Sequence, residues 1–168
     1  NDRNTNQRLG RQRRMCIRES TKHAWCLRLL PEVQAIYKKL CNCNKLITSF
    51  DGCCYIPKNL TKKDNCWTHT DQAPSTKGAK CYQGFLALTS NKERTLVVYE
   101  GSHKLHEKYF AARGITSTKN WHKIDPKFLY TIKDTKRVLN VPAGALVLWE
   151  SRTFHQNQYG KPNSEERM

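Results

Sequence analysis

The feature that most constrains this chain is the spacing of three side chains: His69 and Asp71 lie two residues apart, and His155 follows 84 residues beyond Asp71. The segment Trp67-Thr68-His69-Thr70-Asp71 sits among β-favouring residues. In a strand, residues i and i+2 point to the same face, so His69 and Asp71 aim at one point with Trp67 beside them. The second His follows another run, in which Pro142-Ala143-Gly144 reads as a turn and Ala145 to Trp149 as a buried strand, with His155 near its far end. A fold that unites the three must join strands from distant parts of the chain, as antiparallel barrels and jelly rolls do. Two imidazoles and one carboxylate that meet this way form a facial triad, which grips Fe(II) by one side and leaves positions open for a cosubstrate and O₂. A lone His-x-Asp arises often by chance on surfaces, so the surrounding residues decide its weight.

Those surroundings resemble one family. Ser49-Phe50-Asp51-Gly52, Trp67-Thr68-His69-Thr70-Asp71-Gln72, Gln83-Gly84-Phe85-Leu86-Ala87-Leu88, Glu100-Gly101-Ser102-His103-Lys104 and Leu148-Trp149-Glu150-Ser151-Arg152-Thr153-Phe154-His155-Gln156-Asn157 appear in that order. Their joint presence is similar to compact members of the phytanoyl-CoA dioxygenase-like group of Fe(II)/2-oxoglutarate oxygenases, with Glu100 where the family usually has Pro. The resemblance implies a double-stranded β-helix of the jelly-roll or cupin kind. It also implies Fe(II) held by His69, Asp71 and His155, 2-oxoglutarate as cosubstrate, and hydroxylation of an unidentified substrate by O₂. It assigns the 2-oxoglutarate anchor to Arg167, twelve residues beyond His155 and slightly further than the family's usual spacing. Guanidinium suits that task because it pairs with a carboxylate through two parallel hydrogen bonds. The plainer reading of Arg167 is a solvated charge beside Glu165 and Glu166. Gln83 and Asn157 fall where the family places side chains against the cosubstrate. Arg152 faces either the site or solvent. His103 reads as part of a turn and not as a ligand, while His23, His106 and His122 read as surface or structural residues.

Length fits one domain: 168 residues bury a single sizeable core. Residues 1–20 read as a basic arm and 21–168 as the oxygenase domain, mainly β with N-terminal helices. Helices are expected over Ala24 to Leu30 and Pro31 to Leu40. Val33, Ile36, Tyr37 and Leu40 recur at helical spacing and predict an apolar face to lie on the sheet. Strands are expected over Leu46 to Phe50, Cys66 to Asp71, Cys81 to Leu88, Thr95 to Tyr99, Thr131 to Lys133 and Ala145 to Trp149. Leu105, Tyr109 and Phe110 predict a short helix, followed by a loop near the site. A strand carrying Arg167 is expected either to run on past Met168 or to be short, and the start at Asn1 points to a longer gene product.

Charge bears on partners. Lys and Arg number 30 against 14 acidic residues, a net of +16, and Arg3, Arg8, Arg11, Arg13, Arg14 and Arg18 crowd the start. Such a surface attracts polyanions, nucleic acid among them, although no recognised nucleic-acid motif is present. This leaves a second reading: a catalytically inactive jelly roll with a structural or polyanion-binding role. No apolar run approaches a membrane span. All eight cysteines precede residue 82. Iron-oxygenase chemistry belongs in a reducing, intracellular setting, cytoplasm or nucleus, so they read mainly as buried or half-buried thiols. The competing reading is a zinc cluster drawn from Cys41, Cys43, Cys53, Cys54 and Cys66, which lack paired C-x-x-C spacing.

Overall fold

A computed structural model describes residues 16–18, 22–48 and 52–168. Arg3, Arg8, Arg11, Arg13 and Arg14 of the basic arm, and Ser49, Phe50 and Asp51, lie outside the described residues. The chain divides into two compact units, residues 1–56 with Met168, and Pro57–Arg167.

In the first unit, β1 (Cys16–Arg18) pairs antiparallel with β2 (Gly52–Cys54). Between them come α1 (Lys22–Arg28) and α2 (Pro31–Cys41). Pro31 opens α2, where its missing N–H costs no helical bond. Asn42 closes it in the left-handed region at φ 48° and returns its N–H to the Lys38 and Lys39 carbonyls. The apolar face expected of α2 is not buried: no residue of the helix is fully covered, and Ile36 is exposed. Leu46, Ile47 and Thr48, expected as the start of a strand, have no regular structure.

The second unit consists of antiparallel sheets with a few short helices. Its strands are β3 (His69–Thr70), β4 (Tyr82–Leu86), β5 (Leu96–Tyr99), β6 (His122–Lys123), β7 (Lys136–Val138), β8 (Leu146–Glu150) and β9 (His155–Asn157). One sheet runs β6-β3-β9-β5-β7 and the other is the pair β4-β8. The pairings nest. Strand β5 pairs with β7, β4 with β8 outside it, and β3 with β9 outside that, all antiparallel. Successive layers of this folded-back ribbon alternate between the two sheets, which is how residues near 69 and near 155 become neighbours.

Two further expectations differ from the structure. Residues Thr131 to Lys133 are not a strand. Asp125 caps α4 (Pro126–Thr131) by accepting the Lys127 N–H at 2.9 Å, a 3-10 turn follows over Lys133–Thr135, and the strand starts only at Lys136. His155 also does not extend the Ala145–Trp149 strand. The chain leaves β8 after Glu150, turns through a Thr153 N–H to Glu150 carbonyl bond of 2.9 Å, and crosses to the other sheet. His155 therefore faces Trp149 across the sheets, with ring centroids 5.2 Å apart.

The core lies on the opposite side of the five-stranded sheet from the triad. Val98 pairs with His155, so Tyr99 points the other way. Tyr99 joins Tyr109 and Phe110 of α3 (His106–Ala111), Leu129 of α4, Ile124 and Phe154 in one buried cluster. Edge-to-face contacts such as Tyr109 on Phe154 at 5.6 Å tie the helices to the chain entering β9. This packing holds the strands that carry the site from behind.

Candidate metal centre

His69 and His155 are direct cross-strand partners on β3 and β9, so their side chains project side by side, with ring centroids 4.4 Å apart. Asp71, just past β3, brings Oδ2 to 3.5 Å from His69 Nε2 and 3.3 Å from His155 Nε2. One donor atom from each residue lies within 4.8 Å of the others, a group that can hold a metal ion. Both imidazoles are buried.

The tautomers favour a cation. His69 Nδ1 lies 3.2 Å from the Trp67 carbonyl and His155 Nδ1 lies 2.9 Å from the Thr153 carbonyl. Carbonyls only accept, so each Nδ1 carries hydrogen and each Nε2 is directed at Asp71. Burial pushes the Asp71 carboxyl up, but the His155 and His69 rings and the Gln83 amide outweigh it and hold it well below the usual carboxylate range. The two Nε2 atoms and Asp71 Oδ2 therefore converge on one point as potential electron-pair donors, an arrangement that one divalent ion completes. The borderline N and O donors, the inward Nε2 atoms and the carbonyl-held Nδ1 atoms all fit a transition metal.

Nearby groups fix the ligands. Gln83 Nε2 donates to Asp71 Oδ2 at 3.0 Å. The Asp71 N–H and the Thr70 hydroxyl both donate to the Ser151 carbonyl, at 3.0 and 2.9 Å, which pins the end of β3 to the start of the crossing loop. Thr68 Oγ1 donates to Gln156 Oε1 at 2.7 Å, and Trp67 Nε1 to the Asn157 carbonyl at 3.0 Å. The His69 ring is stacked by Trp67 at 5.0 Å and by Trp121 at 5.3 Å, near-parallel in both cases. Nothing in the sequence near Trp121 marks it as a neighbour of His69; the contact depends on the β6–β3 pairing.

The remaining candidates occupy different surroundings. Arg167 is buried; its Nη1 donates to Asn157 Oδ1 at 2.8 Å, and its guanidinium lies 5.1 Å from the centre of the Phe85 ring. Asn157 is two residues past His155 on β9, on the same face. Arg167 and Asn157 thus form one polar group two residues along β9 from His155, whereas Gln83 touches the triad itself. Arg152 is held by Glu150 and by Glu107, the latter at 3.7 Å, so its charge is already matched. His103 lies in the 3-10 turn Ser102–Lys104, away from the three ligands. His106 is fully buried with Nε2 3.0 Å from the Gln72 carbonyl, a structural role. His122 lies on β6.

Most of the cysteines are less covered than the buried or half-buried thiols expected of them. Cys26, Cys41, Cys43, Cys66 and Cys81 are exposed thiols, and Cys53 and Cys54 are intermediate, because they lie in loops, helix ends and short edge segments. Among the described residues, no second group of ligand atoms gathers as the triad does, so the zinc cluster is not assembled. No helix of the described residues is long and apolar enough to cross a membrane.

Comparison with known proteins adds one relative. The chain is 30% identical over 150 residues to a protein called Ava biosynthesis cluster protein O from Aspergillus versicolor. The match covers 81% of this chain and 49% of that protein, so the chain spans about half the length of the curated relative it matches. No family model matches the chain, and no solved structure matches it.

Proposed function

We propose that the second unit is an Fe(II)/2-oxoglutarate-dependent dioxygenase domain that hydroxylates a small molecule. The observation that carries the reading is the convergence of His69 Nε2 and His155 Nε2 on Asp71 Oδ2, with each Nδ1 held by a main-chain carbonyl. The nested pairing of β3–β9, β4–β8 and β5–β7 supports a double-stranded β-helix, since a folded-back ribbon alternating between two sheets is the plan of a jelly roll. The relative's name, a biosynthesis cluster protein, supports a small-molecule substrate.

In this reading His69, Asp71 and His155 hold iron by one face. Bound Fe(II) with 2-oxoglutarate and O₂ supplies the oxidising chemistry, in which a substrate C–H bond becomes C–OH while 2-oxoglutarate becomes succinate and CO₂. The protein's share is geometry. Gln83 fixes which Asp71 oxygen faces the ligands, and Trp67 and Trp121 fix the plane of His69. Arg167, oriented by Asn157 and walled by Phe85, receives the far carboxylate of 2-oxoglutarate as a paired fork. The test is succinate formation from 2-oxoglutarate by Fe(II)-loaded protein under air. Wild type should form succinate and Asp71→Ala should not; no succinate from correctly metallated wild type would refute the reading.

A further inference from the structure

Two buried polar atoms beside the triad, Gln83 Oε1 and Trp149 Nε1, have no hydrogen-bond partner among the described residues. Gln83 and Trp149 are direct partners on β4 and β8, and both side chains face the triad. Gln83 Nε2 reaches Asp71 Oδ2 at 3.0 Å, and the Trp149 ring lies 5.2 Å from that of His155. Opposed residues in an antiparallel pair have Cβ atoms about 4.5–5.5 Å apart, so these two side chains leave the wall as neighbours. Chemistry fixes which end of the Gln83 amide is which. The Asp71 carboxylate only accepts, so nitrogen must face it and oxygen must face away. The indole N–H only donates. One acceptor and one donor therefore project from neighbouring positions of the wall, both withdrawn from solvent, where an unmet polar group is destabilising. Trp149 also lines a cavity of about 500 Å³ whose walls mix apolar residues, Leu96, Val98 and Val147 among them, with the charged pair Glu100 and Arg137.

We propose that Gln83 and Trp149 together read a carboxamide on the prime substrate, whose apolar body fills this cavity. The amide N–H donates to Gln83 Oε1 and the amide carbonyl accepts from Trp149 Nε1. A carboxylate fits badly, because one of its oxygens would meet Gln83 Oε1 with the Asp71 charge behind it. A hydrocarbon leaves both atoms unmet. A hydroxyl must serve both positions from one oxygen, where an amide offers two atoms for two partners. The role of the bound molecule as substrate rests on the oxygenase reading, whereas its recognition does not.

The test uses the full chain loaded with diamagnetic Zn(II) and the indole N–H resonances of its four Trp residues. The Trp149 signal is assigned by its loss in Trp149→Phe. The probes are phenylacetamide, phenylacetic acid and 2-phenylethanol, titrated separately. Phenylacetamide should shift the Trp149 N–H downfield and bind about tenfold more tightly than either other probe. Trp149→Phe and Gln83→Leu should each weaken it by about tenfold, with the spectra showing both variants folded. Equal or tighter binding of the acid or the alcohol would overturn the proposal. So would an unmoved Trp149 signal, or affinity unchanged in Trp149→Phe, the variant further from the metal. Amide binding without succinate formation would sink the oxygenase reading alone; succinate formation without amide preference would sink this proposal alone.

Discussion

Replacing Arg167 with Ala removes a buried guanidinium that donates to Asn157 at 2.8 Å and lies over the Phe85 ring. If this group receives the far carboxylate of 2-oxoglutarate, its loss removes a desolvated, charge-assisted pair. Truncating one partner of such a pair costs about 2–5 kcal/mol, so the dissociation constant should rise by about a hundredfold. The effect can be read without turnover, as thermal stabilisation of metal-loaded protein by 2-oxoglutarate. At about a hundredfold excess over Kd the wild type gains about 2.7 kcal/mol, and a domain of this size should melt about 5–10 °C higher. At the same concentration the variant, now near its Kd, should gain about 0.4 kcal/mol and shift by about 1 °C. Each shift is taken against that protein's own metal-loaded baseline, so loss of the Asn157 contact does not enter. A full shift in Arg167→Ala would refute the assignment.

Three further outcomes are expected. Trp121→Ala removes one of the two rings stacked on His69; at about 0.5–1.5 kcal/mol per aromatic pair, Co(II) affinity measured by competition titration should fall about 2- to 12-fold, and unchanged affinity would show the stack to be idle. Burial pushes the His106 imidazole below its ordinary 6.5. Below about pH 6.5 the unfolded chain therefore takes up a proton that the native state refuses, so stability should decline as pH falls toward the lowered native value and level off beneath it. Urea unfolding of His106→Gln across that window should lack this component, and an identical slope in both proteins would contradict it. Deleting residues 1–15 removes five Arg and one Asp, a net of four positive charges. Retention on a polyanion should then become less sensitive to salt while succinate formation is unaffected, and unchanged salt dependence would place the polyanion surface elsewhere.

The triad is legible in the sequence because strand periodicity alone puts His69 and Asp71 on one face, and because His155 follows a strong apolar run. The sheet that carries His155 is not legible. Nothing local shows that the chain turns at Ser151 to Phe154 and changes sheets, since that turn is stabilised by Ser102, Cys81 and Tyr99, all distant in sequence. The strand expected over Thr131 to Lys133 fails for a readable reason: Asp125-Pro126 is a capped helix start, and the short apolar run behind it is helical. The α2 stripe predicts burial that the helix does not achieve, because periodicity specifies which face is apolar and not what covers it. The family resemblance marks Gln83 as a site residue, but its contact with Asp71 joins side chains from two different sheets and is not visible in the sequence.

Whether the triad holds iron is tested by anomalous diffraction at the iron edge from crystals grown with Fe(II) under anaerobic conditions. One strong peak is expected about 2.0–2.2 Å from His69 Nε2, His155 Nε2 and an Asp71 carboxylate oxygen, as for comparable N and O ligands. Iron bound at another place, or those three side chains apart with no metal between them, would rule the triad out as the iron site.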